Sequence, residues 1–308
     1  MRILITGGTG FVGRNLTQAF TQQGHHVTVL TRGETSRNRV LPKGASSLQG
    51  DPGREGKWQD AVPDHEVIIN LAGSSIFRRW SDSAKESIRE SRLSTTRNLV
   101  EALSGSKGRT SVLFSTSAVG YYGPRGEEEL DEGGSPGEDF LAKLAQDWET
   151  DARRAEDSGV RVVLMRFGIV LGKDGGALQQ MLPWFRRGLG SPLGSGEQWF
   201  SWIHEGDLSR IYLFLMGRED VSGPVNCTSP HPVRNKELTA ALGKALGRPT
   251  FLPAVPGWAV RLMLGEFGSV LLEGQKVLPK RLQGLGFRFL HPEIEEALGE
   301  LTKREHSA

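Results

Sequence analysis

The chain opens on RILITGGTGFVG, a short apolar run that meets glycines at positions 7, 8, 10 and 13. Beyond them Val12, Leu16, Ala19 and Phe20 recur at helical spacing until Gly24 ends the pattern. Strand, glycine turn and helix in direct succession leave few folds open. Gly7, Gly10 and Gly13, three apart, permit a tight turn and let the backbone approach a pyrophosphate resting on the helix N-terminus. A glycine-rich turn alone is common in any α/β protein; between a strand and a helix it points to a dinucleotide.

The remainder of the chain is consistent with that start. HVTVLTR, EVIINLAG, SVLFSTS and the long run VRVVLMRFGIVLG read as strands, with helical stretches around 81–103 and 141–157 between them. Nearly continuous Val/Ile/Leu strands alternating with helices predict an α/β fold with a doubly wound parallel sheet covered on both faces. GEEELDEGGSPGED and GLGSPLGSGEQ read as surface loops near the binding edge. After about residue 248 the strand pattern fades into short helices broken by Pro and Gly. The expected division is a Rossmann domain over 1–230 and a small, mostly helical C-terminal subdomain over 249–298.

Composition narrows the partners. A net charge of +2 and 7% aromatic residues provide neither a basic stripe nor a stacking platform for nucleic acid. Cys227, the one cysteine, excludes an intramolecular disulfide and a multi-cysteine zinc site, so no metal is expected and a reducing compartment suits the chain. No apolar run approaches the roughly 18 residues of a membrane span, and the N-terminus runs straight into a strand. A soluble cytoplasmic protein acting on a small molecule is the expectation; oligomeric state is left open.

Gly-x-x-Gly-x-x-Gly preceded by Thr6, with the doubled glycine of GGTGFVG, resembles the extended, epimerase-like branch of the short-chain dehydrogenase/reductases. NLAG, FSTSAVGYYG, RFGIVLG and WIHEGDLS resemble later motifs of that superfamily. SRLSTT, the Trp-Glu of AQDWE, MLPWFRRGLGSPLGSGEQ and LEGQKVLPKRLQGLGF resemble an atypical subgroup, the epimerase-family or sugar-nucleotide-epimerase-like proteins with a C-terminal domain of unknown function. The resemblance spans nearly the whole chain. It implies cofactor contacts from Gly7, Thr9, Gly10, Phe11, Val12 and Gly13 of the loop and from Leu71, Ala72 and Gly73 of the NLAG turn. It also implies an adenine contact from Asp51 and substrate contacts from Trp202 and His204.

Two arginines refine this. At the end of the second strand, where an NAD enzyme keeps an acid for the ribose 2′-OH, the chain has Thr31 and Arg32. Arg32 is either a solvated strand-end residue or the partner of a 2′-phosphate, and the missing acid favours NADP(H). On the helix near 81–103, Arg92 shares a stripe with Ile88, Thr95, Leu99 and Ala102. A charge there calls for a phosphate or carboxylate of bound cofactor or substrate, unless its stem packs while its head reaches water. Superfamily members usually have Asn at this position, and the atypical subgroup has Arg.

In ordinary members of the superfamily a Tyr exchanges the substrate proton and a Lys one helical turn later lowers its pKa. Aligning on Glu149 puts Leu141 and Ala145 at those positions, within an inward stripe of Leu141, Leu144, Ala145, Trp148 and Ala152. Lys143 lies about 200° round the helix from Leu141 and is expected to face solvent. The resemblance leaves Ser117 as substrate hydrogen-bonding group, with Tyr121, Tyr122 and His204 as possible proton donors; Asp207 reads better as the N-cap of LSRIYLFLM. The expected function is an NADP(H)-dependent oxidoreductase or epimerase with altered acid-base groups. The alternative is an NADPH-binding sensor without turnover, and a purely structural protein explains neither the glycines nor Arg32.

Overall fold

The computed structural model describes residues 1–33, 41–105 and 109–303. Seven parallel strands form the central sheet: β1 (Arg2–Thr6), β2 (His26–Thr31), β3 (Ala45–Gln49), β4 (Val67–Asn70), β5 (Val112–Ala118), β6 (Arg161–Phe167) and β7 (Gly223–Cys227). Their order is β7-β6-β5-β4-β1-β2-β3. Strand order reverses between β1 and β4, so the loops leaving these two strands diverge and open a crevice at their carboxyl ends.

Helices cover both faces, as the strand composition predicts. Ile3, Ile5, Val67, Ile69 and Phe114 pack with Leu16 and Phe20 of α1 (Phe11–Gln22) and with Ile211, Tyr212 and Leu215 of α5 (Glu205–Met216). The intervening residues Leu4, Ile68, Leu113, Val162 and Leu164 meet Leu99 and Leu103 of α2 (Asp82–Ser104) and Ala152 of α3 (Phe140–Arg153). Neighbouring strand residues point to opposite faces, and both faces are dry. Ser81 Oγ accepts from Ala84 N–H at the start of α2, and Asp139 Oδ1 from Ala142 N–H at the start of α3.

The run 160–172 is not one strand. β6 ends at Phe167, and Ile169–Gly172 leaves the sheet to pair in parallel with Trp202–His204. Gly168 is the switch: its N–H bonds to Cys227 O, the next N–H bonds to Ser201 O, and a Cβ on it would lie 2.8 Å from Ser201 O. The edge strands β3 and β7 lack the apolar alternation of their neighbours, and the sequence reading passed over both.

The C-terminal region is helical, with α7 (Gly257–Leu264), α8 (Glu266–Leu272), α9 (Lys280–Gly284) and α10 (Ile294–Thr302). α10 buries Ile294, Ala297, Leu298 and Leu301 against Leu238 and Leu242 of α6 (Asn235–Leu246), beside α4 (Gly176–Arg186). The acidic segment expected to be wholly surface loop instead ties this region down. Glu129–Leu130 pairs in parallel with Lys276–Val277, and the Glu132 carboxylate accepts from the backbone N–H groups of Asn226 and Arg281. Among the described residues no helix is long and apolar enough to cross a membrane.

Candidate active site

Gly7 stands at φ +68°, and a Cβ there would lie 2.8 Å from the Leu71 carbonyl carbon; one on Gly13 would lie 2.5 Å from Gly8 Cα. Only glycine lets the loop close this tightly on itself and on the turn after β4. Thr6 Oγ1 fixes the junction, donating to Asn70 Oδ1 at 2.8 Å and accepting from Leu71 N–H at 3.2 Å. Leu71, Ala72 and Gly73 therefore flank the glycine loop. Gly10 N–H closes the turn on Gly7 O, and no side chain caps α1. The first-turn N–H groups of Phe11, Val12 and Gly13 have no acceptor among the described residues, which leaves an anion-ready helix end. The Phe11 ring lies against Gly175 and Gly176, holding the loop from its far side.

Thr31 and Arg32 stand at the same end of the sheet. Arg32 is exposed and has no hydrogen bond or ion pair among the described residues. Gly50 N–H bonds to Thr31 O, which brings Asp51 alongside; its Oδ1 accepts from Gly53 N–H at 3.1 Å. A cavity lined by Gln23, His25, Arg210, Phe214 and Phe287 opens beneath the opposite end of the sheet, among none of these groups. The glycine cradle at the carboxyl end, with its unpaired donors, is the candidate site.

Arg92 lies at the inner wall of the crevice. Its Nη1 donates to Ser74 O at 3.1 Å and Ile88 O at 3.0 Å, and its guanidinium carbon is 5.3 Å from the Trp148 ring centre. No carboxylate faces it among the described residues, and burial pushes its pKa down to about 10, so it remains a cation at neutral pH. Gly73 is packed on it so closely that a Cβ would fall 3.1 Å from Cζ. The α2 stripe holds, with Leu103 fully buried where Ala102 is only half-buried.

The expected catalytic hydroxyls turn inward. Ser117 is 1% exposed and its Oγ donates to Glu149 Oε1 at 2.6 Å. Glu149 holds Arg166 through two hydrogen bonds of 2.8 Å, and Arg166 Nη1 donates to the Tyr122 hydroxyl at 3.0 Å. That phenol donates to Asn226 Oδ1, and burial pushes its pKa up to about 12. Burial opposes the charge on Arg166, but its bonds to Glu149 outweigh burial and hold its pKa above the ordinary value. Tyr121 differs. It is half-buried, its hydroxyl has no hydrogen bond among the described residues, and its ring lies 3.5 Å from the Arg166 guanidinium carbon.

On α3, Leu144, Ala145, Trp148 and Ala152 are buried, Leu141 is half-buried and Lys143 is exposed, as the stripe predicts. The expected substrate contacts lie deeper. Trp202 is fully buried and its Nε1 donates to His231 O at 3.0 Å. His204, not Asp207, caps α5: Nδ1 accepts from Gly206 N–H at 3.0 Å, so Nε2 carries the proton and faces Glu300 at 3.1 Å. Asp207 is already inside the helix and its carboxylate accepts from Leu290 and His291 N–H groups. The N-cap expectation for Asp207 fails because His204 supplies a closer acceptor one turn earlier.

Residues 3–227 match the model of the NAD dependent epimerase/dehydratase family. The chain belongs to that family. Residues 255–301 match a domain of unknown function, DUF1731. Among similar epimerase-family proteins, the chloroplastic SDR39U1 homolog of Arabidopsis thaliana is 42% identical over 97% of this chain and 86% of its own. Mb2239 of Mycobacterium bovis is 42% identical over 98% of each chain. The crystal structure of human SDR39U1 isoform 2 with NADPH is 36% identical, with a TM-score of 0.86 over 98% of this chain and 99% of that one.

In this epimerase-family chain the loop glycines, the NLAG turn, Arg32, Asp51 and Arg92 gather at one end of the sheet. Ser117 and Tyr122 are drawn into a buried chain of polar groups, and Trp202 and His204 hold the second layer and α10. The sequence reading missed the Glu149–Arg166 pair. Its signal was Arg166 itself, a charge one residue from the end of RVVLMRF that a dry strand admits only with a counterion.

Proposed function

We propose that this chain is an NADP(H)-dependent oxidoreductase or epimerase acting on a small polar substrate. The observation that carries the reading is the glycine cradle, closed to any side chain at Gly7 and Gly13, beside an Arg32 with no acid at the end of β2. These residues fit a dinucleotide: α1 N–H groups for the pyrophosphate, Arg32 for the 2′-phosphate, Asp51 on the adenine side, and Leu71 to Gly73 along the cleft. The NADPH in the human relative, 36% identical, supports the choice of nucleotide. When bound, NADP(H) gives or takes a hydride.

Proton exchange then falls to Tyr121, a half-buried residue whose ring stacks on Arg166 and whose hydroxyl has no hydrogen bond among the described residues. Ser117 and Tyr122 act as positioning residues that hold Glu149 and Arg166 beneath it. Leu141 and Ala145, apolar where a phenol and an ammonium would stand, favour a second reading: a sensor that binds NADPH without turnover. Fluorescence titration with NADPH and NADH, followed by NADPH oxidation across carbonyl compounds and sugar nucleotides, separates the two. Preference for NADPH, inverted in Arg32→Asp, with turnover that falls in Tyr121→Phe more than in Tyr122→Phe, supports the enzyme. Tight binding without turnover supports the sensor, and equal affinity for both nucleotides refutes the role of Arg32.

A further inference from the structure

The cavity at the amino end of the sheet contains no group used so far. Its volume of about 690 Å³ falls within the range of about 300–1,000 Å³ that small-molecule sites occupy. Its walls come from both matched regions of the chain. The segment after α1 and one face of α5 lie within residues 3–227, whereas Gly286, Phe287 and Arg288 lie within residues 255–301. Seams between two such units are where ligand sites concentrate.

Local geometry builds the walls. Ile211, Tyr212 and Leu215 turn α5 toward the core, which leaves Arg210, Leu213 and Phe214, at i, i+3 and i+4, on one outer face. Across the cavity α9 ends in a turn at Gly286, φ +81°, where the Gly286 and Phe287 N–H groups bond back to Gln283 O and Leu282 O. That turn delivers the Phe287 ring against Phe214, ring centres 5.4 Å apart.

The charge in these walls has one sign. No Asp or Glu lines the cavity among the described residues. Burial pushes the His25 pKa down, so that ring is neutral at pH 7 and the charge rests on Arg210 and Arg288. Arg210 lies 5.2 Å from the Phe287 ring centre and gives Nη1 to Asp207 Oδ1 and Arg288 O, while Nε and Nη2 make no hydrogen bond among the described residues. Asp207 answers Arg210 only in part, because its carboxylate also accepts from the Leu290 and His291 N–H groups. The Arg288 side chain is exposed and has no hydrogen bond or ion pair among the described residues.

We propose that this cavity is a binding site for a small aromatic anion, its ring seated among Leu213, Phe214 and Phe287 and its carboxylate, sulfonate or phosphate on Arg288 and the open edge of Arg210. Both halves of the ligand follow from the walls: a bare inorganic anion leaves the apolar side chains wet, and a neutral hydrocarbon leaves the guanidinium groups unmet. The site stands at the opposite end of the sheet from the glycine cradle and does not depend on the nucleotide reading.

Fluorescence titration of the whole protein with anilinonaphthalene sulfonate, with and without saturating NADP⁺, tests this, uncharged phenylnaphthylamine serving as the control. The sulfonate binds saturably in both conditions, and the uncharged dye binds about ten-fold more weakly or worse. Arg288→Gln weakens the sulfonate by about ten-fold or more, Leu213→Trp abolishes saturable binding by filling the cavity, and Lys143→Gln, an exposed cation on α3, changes nothing. Circular dichroism verifies that each variant is folded, and Arg288→Gln, at an exposed position, decides the matter if Leu213→Trp is not. The proposal is overturned if the wild type shows no saturable binding, if NADP⁺ displaces the dye competitively, if the uncharged dye binds as tightly, or if either folded cavity variant keeps wild-type affinity.

Discussion

Replacing Glu149 by alanine tests the buried polar chain beneath Tyr121. The Glu149 and Arg166 side chains are 6% and 3% exposed, so the pair is desolvated and little of its interaction is lost to solvent screening. Removing the carboxylate strands a guanidinium that had two bonds of 2.8 Å, at a cost of about 3–5 kcal/mol for a broken buried pair. The Ser117 hydroxyl loses its acceptor too, adding about 1 kcal/mol. Against a domain stability of about 5–15 kcal/mol this is roughly a quarter or more of the total. Urea unfolding should show the loss as a lower midpoint at unchanged slope. The double substitution Glu149→Leu with Arg166→Met removes both charges at similar volume and should recover most of it, because no charge is then left alone. A cost below about 1 kcal/mol for Glu149→Ala, or a double variant less stable than the single one, would refute the claim that these groups form a dry, mutually dependent pair.

Gly13→Ala forces a Cβ to within 2.5 Å of Gly8 Cα, so NADPH affinity, read by fluorescence, should fall by about ten-fold or more as the loop opens. Lys143→Ala, at an exposed position off the inward stripe, should leave turnover of any accepted substrate unchanged, whereas Ser117→Ala should lower it by loosening Glu149; the reverse ranking in a steady-state assay would show the helix face is misjudged. Burial, with His291 nearby, holds the His204 pKa below its ordinary value of 6.5. The unfolded chain then takes up the proton first, so stability is full above about pH 6.5 and is lost as pH falls through the folded pKa. Urea midpoints measured from pH 7.5 down to pH 5 should decline more steeply in wild type than in His204→Gln, and parallel slopes would remove His204 from the acid response.

The crevice was legible in the sequence because its determinants are local. Gly7, Gly10 and Gly13 announce a backbone approach within one turn of chain, and Leu144, Ala145, Trp148 and Ala152 declare their face by spacing alone. What escaped depends on partners far along the chain. Ser117 looks like a free strand-end hydroxyl until Glu149 is folded beneath it, and Asp207 looks like a cap until residues 290 and 291 arrive at its carboxylate. β3, written ASSLQ, was missed for another reason: an exposed edge has little apolar pattern to read. The break at Gly168 depends on Ser201 passing close by, and nothing near residue 168 records that strand.

Glu132, Ser201, Asp207 and Asn226 each direct polar side-chain atoms at backbone beyond residue 274, meeting Arg281, Val277, Leu290 and Leu278. During synthesis these groups leave the ribosome long before the peptide units that satisfy them, so a nascent chain holding the whole parallel sheet still carries unmet donors and acceptors. The last fifty residues therefore act as a closing stitch, and a ribosome stalled near residue 250 would display an unfinished, protease-sensitive body rather than a smaller finished one.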